Sequence, residues 1–341
     1  MPGTPAPATD PRRLSDIAYG FMASKALFAA LELNLFTELA KGPRTCRELS
    51  ASTGVAENRL QTLLHALTGL GLTVADQGCY TNAPAPQRWL VHGAPEDVGD
   101  YFRVQVAGQI YPALLHLDAG IAGTGAAFDT LRGLLSDPRE AHTFIAAQHV
   151  GSLGAARALA RRLPIRGARR MLDVGGGSGA FSIALCERNP ELRSTVLDLP
   201  AVADLARSYC GEAALGARID VVAGDAVTCS WPGEQDIVLM SYLLSALGDG
   251  EVDLVLARAL DSLRTGGLLV LHDFMLDDGG PGPALAALWF LQYVAYRSDA
   301  VSFSAAALRR RLRGHGFLPT ITEVLIPGIT KVVLARKETF R

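Results

Sequence analysis

The chain has 341 residues, 49% hydrophobic and 19% charged, enough for a sizeable core and long enough for two domains. Thirty-two lysines and arginines stand against 34 aspartates and glutamates, a formal charge of −2, which argues against a general affinity for nucleic acid or an anionic membrane. Cysteines 46, 79, 186, 210 and 229 show no C-x-x-C spacing and read as reduced thiols of a cytoplasmic protein, not as a disulfide frame or a zinc site.

Residues 1–13 are rich in proline and have no charged region followed by an apolar core, so a disordered leader is expected and no signal peptide. From Leu14 to Leu39 apolar residues (Ile17, Phe21, Leu27, Leu31, Leu35) recur at helical spacing. Residues 45–54 predict a helix and a turn, and 58–71 a second helix with a glycine stop. Residues 72–81 alternate about a central Gly78 as a β-hairpin does. Helix, turn, helix, hairpin is a winged-helix arrangement, here over 14–93. A duplex-reading winged helix concentrates lysine and arginine on its second helix. This one carries only Arg59, beside Glu57 and the apolar Leu60, Leu63, Leu64 and Leu67.

Residues 94–165 read as mostly helical. They include Tyr101, Phe102, Gln105, Tyr111, His116, Phe128, Phe144, Gln148 and His149, for which core packing, or a solvated helix face for the histidines, is the plain reading. Met171 to Val174 has the length and branching of a buried parallel strand. Gly175-Gly-Gly-Ser-Gly179 follows, then 180–186 at helical spacing. Glycines serve where the backbone takes positive φ or a ligand comes close, and the helix start beyond offers free N–H groups. The turn is shorter than the dinucleotide fingerprint, whose third glycine falls on Ala180. Asp173 lies at the end of this strand, Asp198 ends a second and Asp225 a third. Three successive strands, each tipped by a carboxylate, form a nucleoside pocket at the carboxyl edge of a parallel sheet; the alternative is a string of helix caps. Residues 236–244 predict a fourth strand running into a helix, and 267–272 a fifth strand ending at His272-Asp273. Residues 277–283 form a polar turn-rich loop. An apolar helix over 284–296, too short and interrupted to span a bilayer, carries Trp289, Phe290, Gln292, Tyr293 and Tyr296. A basic amphipathic helix with Arg309, Arg310, Arg311 and Arg313 follows, then strands at 320–325 and 330–335.

The ordered set Leu172-Asp-Val-Gly-Gly-Gly-Ser-Gly179, Val196-Leu-Asp-Leu-Pro200, Gly224-Asp225, Asp236-Ile-Val-Leu-Met240 and Leu263-Arg-Thr-Gly-Gly-Leu-Leu-Val270 resembles the motifs of class I S-adenosylmethionine-dependent methyltransferases. The Asp-Leu-Pro variant is similar to the O-methyltransferases of plant caffeate and acetylserotonin type, with their bacterial natural-product branch. The resemblance covers essentially the whole chain. It implies an α/β fold, a doubly wound mostly parallel Rossmann-like sheet over 166–341, preceded by a mainly helical winged-helix dimerisation domain over 14–93. Residues 94–165 would roof the acceptor pocket, and the helix at 284–296 would line it. It further implies a homodimer, S-adenosyl-L-methionine as cofactor, no metal, and a small aromatic or cyclic acceptor of specialised or antibiotic metabolism. Asp198, with Leu199 beside it, would hold the ribose, Asp225 and Ala226 the adenine, and Gly175 and Gly177 the methionine portion. Asp173 and Ser241 would complete the cofactor site.

Two departures stand out. Phe144-Ile-Ala-Ala-Gln148 falls where the family has Phe-x-x-x-Met, so a hydrogen-bonding side chain replaces an apolar one. The family's His-Asp-Trp-x-Asp, whose histidine deprotonates a phenol, aligns with Ser245, Ala246 and Leu247 ahead of Asp249. A serine hydroxyl is no general base near neutral pH, and serine and alanine are poor metal ligands. His272, Asp273 and His149 are the candidates for a relocated base; for His272 the alternative is a strand-end histidine tied to backbone. Oxygen is the family's default acceptor atom. Loss of the histidine makes carbon methylation the alternative, and a winged-helix DNA-binding regulator or an NAD-linked enzyme stand further off.

Overall fold

The computed structural model describes residues 7–124, 133 and 135–338. Phe128 and the first six residues of the expected leader lie outside them. The chain divides into two compact units, one within Ala6–Tyr111 and one within Pro112–Arg341.

In the first unit, helix α1 spans Pro11–Glu32. It starts inside the expected leader because Asp10 caps it, accepting from the Arg12 N–H at 2.8 Å, with proline at the first helical position. The single helix expected from 14 to 39 is broken at Asn34, whose backbone is left-handed (φ 52°), and α2 resumes at Leu35–Leu39. Strand β1 (Arg44–Thr45) leads into α3 (Cys46–Thr53), opened by a reciprocal Thr45–Glu48 capping box. Helix α4 covers Glu57–Gly69 and, after the strands that follow, α5 covers Pro84–Trp89. Strands β2 (Thr73–Asp76) and β3 (Cys79–Asn82) pair antiparallel through Gln77-Gly78, both at positive φ, and β1 adds beside β3. Leu35, Phe36, Leu49, Leu60, Leu64 and Leu67 close the core. Helix α1, by contrast, leaves Leu14, Ile17, Tyr19, Phe21 and Met22 exposed. By length and composition α1 is also the one helix among the described residues long and apolar enough to cross a membrane, a property the sequence reading did not attach to it.

The second unit is built on a seven-stranded sheet. Its strands are β4 (Arg170–Val174), β5 (Arg193–Asp198), β6 (Ile219–Ala223), β7 (Gln235–Ser241), β8 (Leu263–Phe274), β9 (Phe317–Ile326) and β10 (Thr330–Lys337). They lie in the order β6-β5-β4-β7-β8-β10-β9, parallel except for β10, which runs antiparallel to both neighbours. Because strand side chains alternate, Met171, Val196, Leu239 and Val270 face one side and Leu172, Leu197, Val238 and Leu269 the other. Helices α7 (Pro138–Arg162), α8 (Ala180–Arg188) and α9 (Pro200–Glu212) bury Leu159, Leu185 and Ala206 on the first face. Helices α10 (Asp249–Ser262) and α12 (Ala305–Gly314) bury Leu256 and Leu308 on the second. Before them in the chain, α6 (Leu117–Ala122) packs on α11 (Ala284–Tyr296).

The chain leaves β4 toward β5 and β6, then returns to build β7 and β8 on the other side. This reversal opens a crevice at the carboxyl ends of the central strands, where doubly wound folds bind ligands. The fourth strand of this unit, β7, stops at Ser241. Tyr242 turns the chain with φ 56°, and a single 3₁₀ turn, Leu244–Ala246, stands in place of a helix.

Candidate active site

Gly175, Gly177 and Gly179 all take positive φ (64°, 56° and 77°), which a side chain tolerates poorly. A Cβ at Gly175 would also stand 2.8 Å from Leu243 Cδ1, and one at Gly176 2.9 Å from Asp173 Cγ. Asp173 lies wholly buried beneath this turn. Its Oδ2 accepts from Ser182 Oγ at 2.7 Å, while Oδ1 has no hydrogen-bond partner among the described residues. Burial pushes its carboxyl up to about 6. Asp198 ties the turn to the next strand: Oδ2 accepts from the Gly177 N–H and Oδ1 from the Leu199 N–H, each at 2.7 Å. Burial raises it to about 6 against these hydrogen bonds, and neighbouring Asp225 adds to the rise. Asp225 in turn accepts from the Val227 N–H at 2.8 Å.

A cavity of about 380 Å³ opens over these groups. Gly175, Gly177, Asp198, Leu199, Asp225 and Ala226 form one wall, so six of the eight residues expected at the cofactor come together there. Asp173 supports the wall from below. Ser241 stands apart, buried with its hydroxyl 2.7 Å from His272 Nδ1. Phe144, Ile145 and Gln148 of α7 also line the cavity, as do Tyr242, Leu243, Ala246 and Leu247. Tyr293, Tyr296, Arg297, Ser298 and Asp299, at the end of α11 and just beyond it, are further lining residues. The glycine cradle, the orphaned buried oxygen of Asp173 and the acidic strand ends suit a nucleoside joined to a zwitterionic amino acid.

The three candidate bases are not among the residues lining this cavity. His272 is fully buried between two hydroxyls, Ser241 at 2.7 Å and Thr330 Oγ1 at 3.0 Å from Nε2, and burial pushes it down to about 3, so it stays neutral. It is held by side chains, not by backbone. Asp273 is likewise buried; it accepts from the Ser245 and Phe274 N–H groups at 3.0 and 2.8 Å, and burial lifts it to about 6. His149 stacks on Tyr209 at 4.1 Å with Nδ1 2.7 Å from Ser178 Oγ, and burial lowers its pKa. Ser245 itself is wholly buried.

Arg297, Ser298 and Asp299 are lining residues that sequence reasoning missed. Arg297 Nε donates to Asp299 Oδ1 at 2.6 Å and Nη2 to Oδ2 at 3.0 Å; Nη2 also meets Glu251 at 2.9 Å, and Nη1 donates to the Ala246 carbonyl at 3.1 Å. They follow the last apolar turn of α11, where periodicity stops and no local pattern marks a site. Tyr242, at the strand-end turn, was missed for the same reason.

The family model of the O-methyltransferase domain matches residues 122–317, and that of the O-methyltransferase dimerisation domain matches 15–92. The chain is 34% identical over 289 residues to 3-hydroxy-5-methyl-1-naphthoate 3-O-methyltransferase of Streptomyces sahachiroi, covering 84% of each. It is 29% identical to the L-tyrosine C(3)-methyltransferase of Streptomyces lavendulae, covering 98% of this chain and 95% of the relative. The structure of human N-acetylserotonin methyltransferase in complex with S-adenosylmethionine superposes with a TM-score of 0.86 at 23% identity, over 99% of this chain and 100% of that one. The carboxylate-tipped crevice and these matches agree, and the chain belongs to the O-methyltransferase family: it is an S-adenosyl-L-methionine-dependent methyltransferase with an N-terminal dimerisation domain.

Proposed function

We propose that the enzyme methylates a hydroxyl oxygen of a small aromatic or cyclic acceptor of specialised metabolism. One observation carries this reading: a single cavity is lined both by the strand-end carboxylates Asp198 and Asp225 and by the aromatic Tyr293 and Tyr296. In it Asp198, with Leu199, holds the ribose hydroxyls, Asp225 and Ala226 hold the adenine, and the Gly175–Gly177 turn admits the methionine portion. Asp173 sets the turn from beneath, and Ser241 acts at one remove by fixing His272. When bound, the cofactor supplies an electrophilic sulfonium methyl group. The protein's part is to align the acceptor with it and keep water out, work suited to the apolar Phe144, Ile145, Leu243 and Leu247.

Relatives named for a hydroxynaphthoate and for acetylserotonin support an aromatic oxygen acceptor. Carbon methylation is the second reading, favoured by Ser245 at the usual histidine position and by relatives named as C-methyltransferases. Labelled-methyl transfer to a panel of phenols and arylpyruvates, with NMR locating the new carbon, separates the two. No transfer to any of them, with calorimetric binding of NAD in preference to adenosylhomocysteine, would sink both. The exposed apolar side of α1 supports a homodimer formed through the first unit; the near-balanced charge of −2 supports action in the cytoplasm on a small molecule, with neither nucleic acid nor an anionic membrane as partner.

A further inference from the structure

We infer that Asp299 receives the hydroxyl proton of the acceptor, the part left vacant by the absence of a histidine at position 245. The inference rests on the oxygen-transfer reading above.

A proton acceptor must reach the bound substrate and pass its proton on. Besides the strand-end carboxylates Asp198 and Asp225, the candidate acceptors are the imidazoles of His149 and His272 and the carboxylates of Asp273 and Asp299. Of these four, Asp299 alone lines the cavity. His272 and Asp273 are also 0% and 1% exposed, so neither has a route for a proton to solvent. The Asp299 side chain is 55% exposed, and water can take the proton from it.

The carboxylate is also held in direction. Arg297 grips both of its oxygens, at 2.6 and 3.0 Å, in the two-pronged geometry that fixes a carboxylate plane. Arg297 is itself pinned by Glu251 at 2.9 Å and by the Ala246 carbonyl at 3.1 Å. Through that last contact the pair rests on the turn Leu244–Ala246, the place where the resembling family carries its base. Room is made for it as well: a Cβ at Gly248 would fall 1.9 Å from Asp299 Oδ2. Each oxygen of Asp299 keeps a further lone pair for a hydroxyl donor.

Arg297 holds the Asp299 carboxyl below its usual range, which makes it a weak base toward a free phenol. The reaction removes that objection. As the acceptor oxygen bonds to the methyl carbon, the carbon–sulfur bond breaks and its electron pair returns to sulfur, leaving a neutral thioether. The proton still on that oxygen then becomes strongly acidic, and its transfer to a carboxylate with or just after methyl transfer runs downhill. The O–H bond breaks, Asp299 holds the proton, and solvent removes it.

The test uses a series of ring-substituted phenols of graded acidity with the full-length enzyme. Asp299→Asn is expected to lower kcat roughly 10²-fold on weakly acidic phenols and to leave turnover of a nitrophenol, already ionised at the assay pH, close to that of the unaltered enzyme. Adenosylhomocysteine affinity by calorimetry is expected to stay the same. In Asp299→Ala, added formate is expected to restore part of the rate. A loss equal across the series, no loss on any phenol, or no response to formate together with a weakened adenosylhomocysteine affinity would overturn the inference. If the unaltered enzyme places the methyl on carbon, the oxygen-transfer reading fails, and this inference with it, whatever the Asp299 variants do.

Discussion

Asp198 accepts two backbone hydrogen bonds, from Gly177 and Leu199, yet burial keeps its carboxyl at about 6. A carboxyl raised above its ordinary value binds its proton more tightly folded than unfolded, so ionising it costs stability as pH rises from the unfolded value through 6. Ribose hydroxyls are donors and need the ionised form. Cofactor affinity is therefore expected to be full above about pH 7 and to fall as pH drops through 6, about tenfold per pH unit below it. Calorimetry with adenosylhomocysteine between pH 5 and 8 checks this; a flat profile would remove Asp198 from the ribose. Ser245 makes the opposite kind of prediction. Its backbone N–H binds Asp273 and its side chain is wholly buried. Ser245→Ala is expected to leave most of the activity, and a large loss in kcat would show that this position still takes part in proton transfer.

The glycine turn is the element on which the cofactor wall depends. Its positive φ values and the lack of space around Gly175 act together: Gly175→Ala imposes a strained backbone and drives a methyl to within 2.8 Å of Leu243. The expected cost is about 1–3 kcal/mol of stability, read as a lower melting temperature, together with weakened adenosylhomocysteine binding. A variant that melts normally and binds normally would mean that the turn adapts without loss. The strand–turn–helix around it was legible from residues 171–186, because a short apolar run, clustered glycines and helical spacing are local signals. The 3₁₀ turn that replaces an expected helix after β7 was not. Residues 242–247 are as apolar as the start of a helix, and contacts distant along the chain set their course: Leu243 against Gly175, Asp273 on the Ser245 N–H and Arg297 on the Ala246 carbonyl.

At the scale of the whole molecule, α1 has Leu14, Ile17 and Phe21 on one face at helical spacing, exposed by 63%, 63% and 50%. A contiguous apolar face of this kind marks an association surface, and the dimerisation-domain match, residues 15–92, includes Ile17 and Phe21. Replacing Ile17 and Phe21 together by glutamate is expected to turn a dimer into a monomer in sedimentation equilibrium while α3 and α4, which bury other residues, keep the unit folded. A dimer that survives the double substitution would place the interface elsewhere. The amino-acid order alone determined the alternation of strands and helices and the acidic ends of three strands, since hydrophobic period, glycine turns and strand-end carboxylates are written within a few residues of one another. The tertiary structure decided which titratable groups face the cavity. His272, Asp273 and His149 look equally available in the chain, but packing buries the first two in the sheet and ties half-buried His149 to Tyr209 and Ser178. Arg297 and Asp299, without any pattern of their own, are carried to the cavity wall by the end of α11 and fixed there by Glu251 and Ala246, residues some fifty positions away. Burial and direction are properties of contacts distant along the chain, and they were settled only when the sheet and its helices came together.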